Sequence, residues 1–260
     1  MTKFLSLYSS SSGNSILISN ASTNILIDAG VSASKISSSL NELGLCARDI
    51  NAIFVTHEHS DHISGIRVLS KKYNIPVYAN APSMEGVLKS APQIPSGSAN
   101  IISASNVYEI NSIKVKPFIT PHDSAASFGY VFESEGKKYG IATDTGSITK
   151  AMLSNLAGCE AVIIEANHDV QMLKCGTYPY QLKKRILSHK GHLSNDKCAW
   201  LATQLAIWGT KRILLGHLSK ENNTPQKAFE CVKKCLESNG FKVGADLILK
   251  VAQPDEITYI

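Results

Sequence analysis

Residues 57–62 read His-Glu-His-Ser-Asp-His, three imidazoles and a carboxylate within six positions, directly after the run Ala52-Ile53-Phe54-Val55-Thr56. Neutral imidazole suits zinc or a similar transition metal, with Zn–N about 2.0–2.1 Å, and carboxylates add charge and can bridge ions. In an extended loop His57, His59 and Asp61 project the same way while His62 is displaced, so one short loop can serve two ions. Further donors follow other apolar runs: His122, Asp144, Glu165 and His217. Five separate segments delivering a His or an acid at a strand end is hard to obtain by chance in a chain with eight histidines. Two ions about 3.5–4 Å apart can share a water, lower its pKa and clamp the attacking and leaving oxygens of a displacement. Asp28, at the end of 24–28 and before Ala29-Gly30, reads equally as a site residue or as a turn former.

The elements that must position these donors are short. Strands are expected at 3–7 and 15–19, joined through an ordered Ser-rich turn with Gly13-Asn14 at its tight step, and at 24–28, 52–56 and 75–78. Residues 91–106 read as a surface loop with a short strand at 100–103. Alternation of Ile113, Val115 and Pro117 with Lys114 and Lys116 predicts a half-buried strand over 112–119. Strands 128–133 and 138–143 form a hairpin, and 161–165, 212–216 and 246–251 follow. Helices are expected over 33–43, from His62 with Asp61 as its cap, and over 83–90, 149–156, 178–188, 195–208 and 225–238. Strands first as hairpins and then mixed with helices predict an α+β fold. The expected form is a four-layer αββα sandwich, two packed mixed β-sheets with helices outside, as a single domain over 1–260.

No run approaches 18 apolar residues, so no membrane partner is expected, and the N-terminus has too short an apolar stretch for a signal peptide. A cytoplasmic location with reduced thiols fits six cysteines that form no C-x-x-C pair. Residues 171–250 carry 14 Lys/Arg against 5 Asp/Glu, and the remainder 12 against 16. The basic third can face an anionic substrate; a solvated basic surface is the plainer reading.

The segment Thr-His-Glu-His-Ser-Asp-His-Ile-Ser-Gly at 56–65 resembles the H-x-H-x-D-H signature of the metallo-β-lactamase fold superfamily, and the likeness extends over the whole chain as ordered motifs. The resemblance implies two divalent ions per chain, Zn2+ or Mn2+, with His57, His59 and His122 on one, Asp61, His62 and His217 on the other, and Asp144 bridging. It implies that a hydroxide between them is the nucleophile, with Asp61 central to catalysis and Asp28 orienting the histidine loop. Asp144 stands where β-lactamases use Cys, which points away from β-lactams. Glu165-Ala166-Asn167-His168 and Gly191-His192-Leu193-Ser194 resemble motifs of the tRNase Z branch, where a Glu–His pair protonates the leaving oxygen. Carried over, Glu165 orients His192, the general acid, and His168 lies behind the site.

The whole pattern is most similar to the YycJ/VicX-like (WalJ) group of small nucleases. That similarity implies a two-metal hydrolase of phosphodiester bonds acting on nucleic acid, DNA in particular, as a 5′-to-3′ exonuclease. Lys183, Lys184, Arg185 and Ser219 are the candidate substrate contacts. The alternatives are a small-molecule phosphodiesterase or a glyoxalase II-like thioesterase.

Overall fold

Strand β1 (Lys3–Ser10) turns through exposed Ser11-Ser12 into β2 (Gly13–Ser19), and the two pair antiparallel. The tight step therefore falls on the serines, and Gly13 and Asn14 are strand residues. The computed structural model describes residues 1–95 and 97–260. The loop expected over 91–106 includes Ser96, which lies outside the described residues. The chain divides into two compact units, one of Met1–Pro117, Ser124–Phe128 and Gln253–Tyr259, the other of Phe118–Asp123, Gly129–Ala252 and Ile260.

In the first unit β3 (Asn24–Ile27), β4 (Ala52–Phe54), β5 (Val77–Ala79) and β6 (Ala99–Ile101) extend the sheet, and β14 (Thr258–Tyr259) flanks β1, in the order β14-β1-β2-β3-β4-β5-β6. Pairing is antiparallel from β14 to β3 and parallel from β3 to β6. Helices α1 (Ala33–Glu42), α2 (Ser60–Ile63), α3 (Ile66–Tyr73) and α4 (Ala81–Ser90) belong to this unit. Leu5, Leu7, Leu17, Leu26, Ile53 and Val55 share one core with Ile36, Leu40, Ile66, Leu69 and Val87. The alternate residues Ile16, Ile18, Ile25, Ile27 and Phe54 are buried as well, which is why these strands read as continuous apolar runs. A short antiparallel pair, β7 (Tyr108–Ile110) and β8 (Ile113–Ile119), follows β6.

In the second unit β9 (Phe128–Ser134) and β10 (Lys137–Ala142) form the expected hairpin. Glu135 and Gly136 both take positive φ, 51° and 73°, as a two-residue hairpin turn requires. β11 (Ala161–Glu165), β12 (Arg212–Gly216) and β13 (Ile248–Val251) add in parallel, in the order β13-β12-β11-β10-β9. The helices are α5 (Lys150–Leu156), α6 (Val170–Cys175), α7 (Tyr180–Leu187), α8 (Asn195–Ile207) and α9 (Pro225–Ser238). Val162, Ile164, Ile213 and Leu215 share a core with Leu156, Leu201, Leu205, Val232 and Leu236.

The helix expected from His62 departs from the structure. It starts at Ser60 with His59 as the N-cap residue, so Asp61 lies inside the first turn and is not a cap. It then breaks at Ser64-Gly65 before α3. The break serves the segment after β3: Ala29 N donates to His62 O at 2.8 Å and Gly65 N to Ala29 O at 2.8 Å. Gly30 N likewise donates to Asn14 O at 2.7 Å, and a Cβ on Gly30 would lie 1.6 Å from Asp61 O. The histidine loop is thus seated on bare backbone. Gly30→Ala is expected to lower the melting temperature by at least about 5 °C, because a backbone must shift by more than a side chain can yield. A melt by circular dichroism checks this, and an unchanged midpoint contradicts the seating.

Candidate metal centre

The first unit presents the His57–His62 loop around one buried carboxylate. Asp28 sits one residue past β3 at φ 60°, the left-handed region that a side-chain-bearing residue enters at a cost of order 1–3 kcal/mol. Its Oδ1 accepts from Thr56 N at 2.8 Å; its Oδ2 accepts from Thr56 Oγ1 at 2.8 Å and from His62 Nδ1 at 2.7 Å. Burial pushes the Asp28 carboxyl up, and the His62 and Thr56 donors pull it back. With its proton given to Asp28, the Thr56 hydroxyl oxygen accepts from His57 Nδ1 at 3.0 Å. The Nδ1 atoms of His57 and His62 are thereby committed, and each Nε2 is the lone-pair nitrogen. The His57 ring lies 4.4 Å from that of His59 and 4.1 Å from that of His62. Asn14 Nδ2 stands 3.3 Å from His62 Nε2 and 3.5 Å from Asp61 Oδ2. Glu58 points elsewhere: it accepts from Ala125 N at 2.7 Å and Ser83 Oγ at 3.1 Å, which ties the loop to α4.

The second unit repeats the device with Glu165, fully buried at the end of β11. Its Oε1 accepts from His192 Nδ1 at 2.7 Å and from His217 Nδ1 at 2.9 Å. Its Oε2 accepts from Thr145 N at 3.0 Å and Leu193 N at 3.1 Å. Burial opposes charge on this carboxyl, but His192 and His217 prevail and hold it below the usual carboxylate range. Burial likewise opposes a charged His192, and the Glu165 carboxylate raises its pKa against that effect. Asp144 and His217 follow β10 and β12 in left-handed conformation, at φ 52° and 56°. His217 Nε2 lies 3.4 Å from Asp144 Oδ1. His122 donates through Nδ1 to Gly191 O at 3.2 Å, and its Nε2 is 3.8 Å from Asp144 Oδ1. Burial lowers the His122 pKa, which favours the neutral, ligating ring.

These donors fit divalent ions. In the second unit, ligand atoms of Asp144, Glu165, His192 and His217 all lie within 4.8 Å of one another. In the first, imidazoles whose Nδ1 atoms are committed crowd together with a carboxylate beside them. Imidazole and carboxylate are the donor types that zinc and manganese share.

Other candidates have different surroundings. His168 is 1% exposed, its ring nitrogens have no hydrogen-bond partner among the described residues, and burial lowers its pKa to about 4. Its carbonyl accepts from Asn195 N at 2.9 Å, which clamps the chain beyond His192. The Lys183 ammonium donates to Lys174 O and Gly176 O at 2.8 and 2.7 Å, closing the end of α6. Arg185 grips Asp123 with both arms of its guanidinium, and Ser219 Oγ accepts from Asn222 N within its own loop. Lys184 is exposed. Sequence reasoning did not single out Asn14, Thr56 or Asn167, whose Nδ2 donates to His217 O at 3.0 Å. Only Thr56 had a signal, its place next to His57.

Two mixed sheets with helices, and imidazoles and carboxylates gathered at their strand ends, define a metal-dependent hydrolase, and the chain belongs to the beta-lactamase superfamily, whose domain profile matches residues 23–218. The chain is 37% identical over 241 residues to "Exodeoxyribonuclease YycJ" of Bacillus anthracis, covering 93% of this chain and 91% of that one. It is also 37% identical over 258 residues to "Exodeoxyribonuclease WalJ" of Streptococcus pneumoniae, covering 98% and 96%. Among solved structures, the metallo-beta-lactamase fold protein YhfI from Bacillus subtilis superposes with a TM-score of 0.73 at 15% identity, covering 99% of this chain and 98% of that one. The αββα class expected from the sequence is borne out as this fold.

Asp28→Ala removes the acceptor that sets the His62 tautomer and leaves His57 without a fixed Thr56. It is expected to weaken divalent-ion binding about 10- to 100-fold in a chelator competition titration. Unchanged affinity contradicts the orienting role.

Proposed function

We propose that the chain is a metal-dependent exonuclease that hydrolyses phosphodiester bonds of DNA in the 5′-to-3′ direction. The carrying observation is the Glu165 Oε1 atom, which accepts from both His192 Nδ1 and His217 Nδ1. One oxygen thereby couples a metal-ligand candidate to a second, partly exposed imidazole. Names of the two relatives at 37% identity support DNA as the substrate.

In this reading His57, His59 and His122 would hold one ion and Asp61, His62 and His217 a second, with Asp144 as a further carboxylate donor. When bound, the two ions, zinc or manganese, supply Lewis acidity and activate the attacking water. The chain's own residues do the rest. Asp28 and Glu165 hold imidazoles in one tautomer each. His192, with Nδ1 committed to Glu165, carries its transferable proton on Nε2 and delivers it to the departing 3′ oxygen as general acid. That proton separates the reaction classes. An alkoxide leaving group needs it, whereas a thiolate, the conjugate base of a thiol with a pKa of about 8.5, departs without it. The Glu165–His192 pair therefore favours a phosphodiester over a thioester. Six unpaired cysteines support a cytoplasmic site of action.

The test is a panel of 5′- and 3′-labelled single- and double-stranded DNA and RNA, with Asp61→Ala as the inactive control. The reading expects mononucleotide release from the 5′ end of DNA. It also expects His192→Ala to lower the rate about 10²- to 10⁴-fold with ion content unchanged. Glu165→Gln should cost both rate and ion retention. Absence of DNA cleavage by ion-loaded protein overturns the reading. Thioester hydrolysis indifferent to His192→Ala establishes the glyoxalase II-like alternative.

A further inference from the structure

Helix α7 turns only Ile186 into the protein. On its outward side Tyr180, Lys184 and Leu187 recur at i, i+4 and i+7 and so share one face. Tyr180 is 75% exposed and Leu187 40%, an open aromatic and aliphatic surface with a cation between them. From Val170 to Asn195 the chain carries five Lys/Arg and no acid. Two of the cations are engaged: Lys183 by backbone carbonyls and Arg185 by Asp123. Lys184 and Lys190 are exposed and make no ion pair among the described residues.

The helix is also fixed to the proton donor of the proposed reaction. His192 N donates to Ile186 O at 3.0 Å, and Gly191 packs so closely that a Cβ would lie 2.2 Å from that oxygen. Gly191 O in turn accepts from His122 Nδ1. Tyr180 lies six residues before Ile186, about 9 Å along the helix axis at about 1.5 Å per residue.

We infer that the outer stripe of α7 is the platform for a single-stranded DNA segment adjoining the cleaved bond, with one base stacked on Tyr180 and phosphates beside Lys184 and Lys190. The inference rests on the nuclease reading and adds where the strand lies. A single strand is the occupant because the Tyr180 ring needs an unstacked base face, which a duplex does not present. A polyanion is the occupant because the free cations here face no acid of their own segment.

The experiment is equilibrium binding, by fluorescence anisotropy, of a labelled phosphorothioate single strand of about 12 nucleotides to the ion-loaded protein. Tyr180→Ala should raise Kd about 5- to 100-fold, and Tyr180→Phe, which keeps the ring, should stay within about twofold of wild type. Lys184→Ala should flatten the slope of log K against log salt by about 0.7. Hydrolysis of thymidine 5′-(p-nitrophenyl phosphate), too short to reach α7, should be the same in Tyr180→Ala and Tyr180→Phe as in wild type. Unchanged binding by Tyr180→Ala overturns the platform, as does equal loss in Tyr180→Phe or a duplex that binds as tightly and loses as much. DNA cleavage by wild type reports separately. Cleavage with Tyr180→Ala binding unchanged removes the platform and keeps the nuclease; the Tyr180 effect without cleavage does the reverse.

Discussion

A carboxylate with no solvent exposure is costly to bury, and Glu165 is held ionised by four hydrogen bonds, two from backbone amides and two from imidazoles. Much of the second unit's chemistry depends on that arrangement. The amides come from Thr145, directly after Asp144, and Leu193, directly after His192. The carboxylate therefore fixes the backbone beside Asp144 and His192 and the rings of His192 and His217. Removing it would leave several buried donors unpaired at once, so its replacement has effects beyond a single lost bond. Asp28 does the same in the first unit on a smaller scale, through Thr56 and His62.

Backbone strain is placed at the same points. Among the described residues six non-glycine residues have positive φ, and three of them are Asp28, Asp144 and His217. Asp28 and His217 stand immediately past the ends of β3 and β12, and Asp144 two residues past the end of β10. A left-handed residue there turns the chain sharply and presents its side chain at the strand terminus. The strands supply the compensation, since β3, β10 and β12 are buried over their C-terminal residues and pair with neighbours on both sides. Rigid ladders carry the strained residues, and the ladders owe their stability to side chains buried on the strand faces.

Much of this was legible in the sequence because apolar runs ending in His or Asp are visible without coordinates. His57, His122, Asp144 and His217, and in the same way Glu165, are singled out by that pattern. What the sequence could not show were relations between distant segments. Asn14 beside His62 and Asn167 beneath His217 are amides without a local pattern, and only folding brings them there. That Glu165 also holds His217 was equally hidden, since the motif resemblance pointed only to His192. The helix after the histidine loop is expected to start at His62 because Asp61 can cap it, and its apolar face continues past Gly65; the close approach of the 29–31 backbone is what breaks it at Gly65. Strands β7 and β14, with three and two residues, are too short for periodicity to register. Lys183 and Arg185 advertise only charge, and their actual partners, two carbonyls and Asp123, lie outside any sequence motif.

The central proposal is that the chain's carboxylate-oriented imidazoles bind a pair of divalent ions. It is tested most directly by counting ions in the wild-type chain after dialysis against metal-free buffer, using inductively coupled plasma mass spectrometry against a quantitative protein concentration. The account predicts two zinc or manganese ions per chain. A content clearly below one per chain, in protein whose circular dichroism shows it folded, contradicts it.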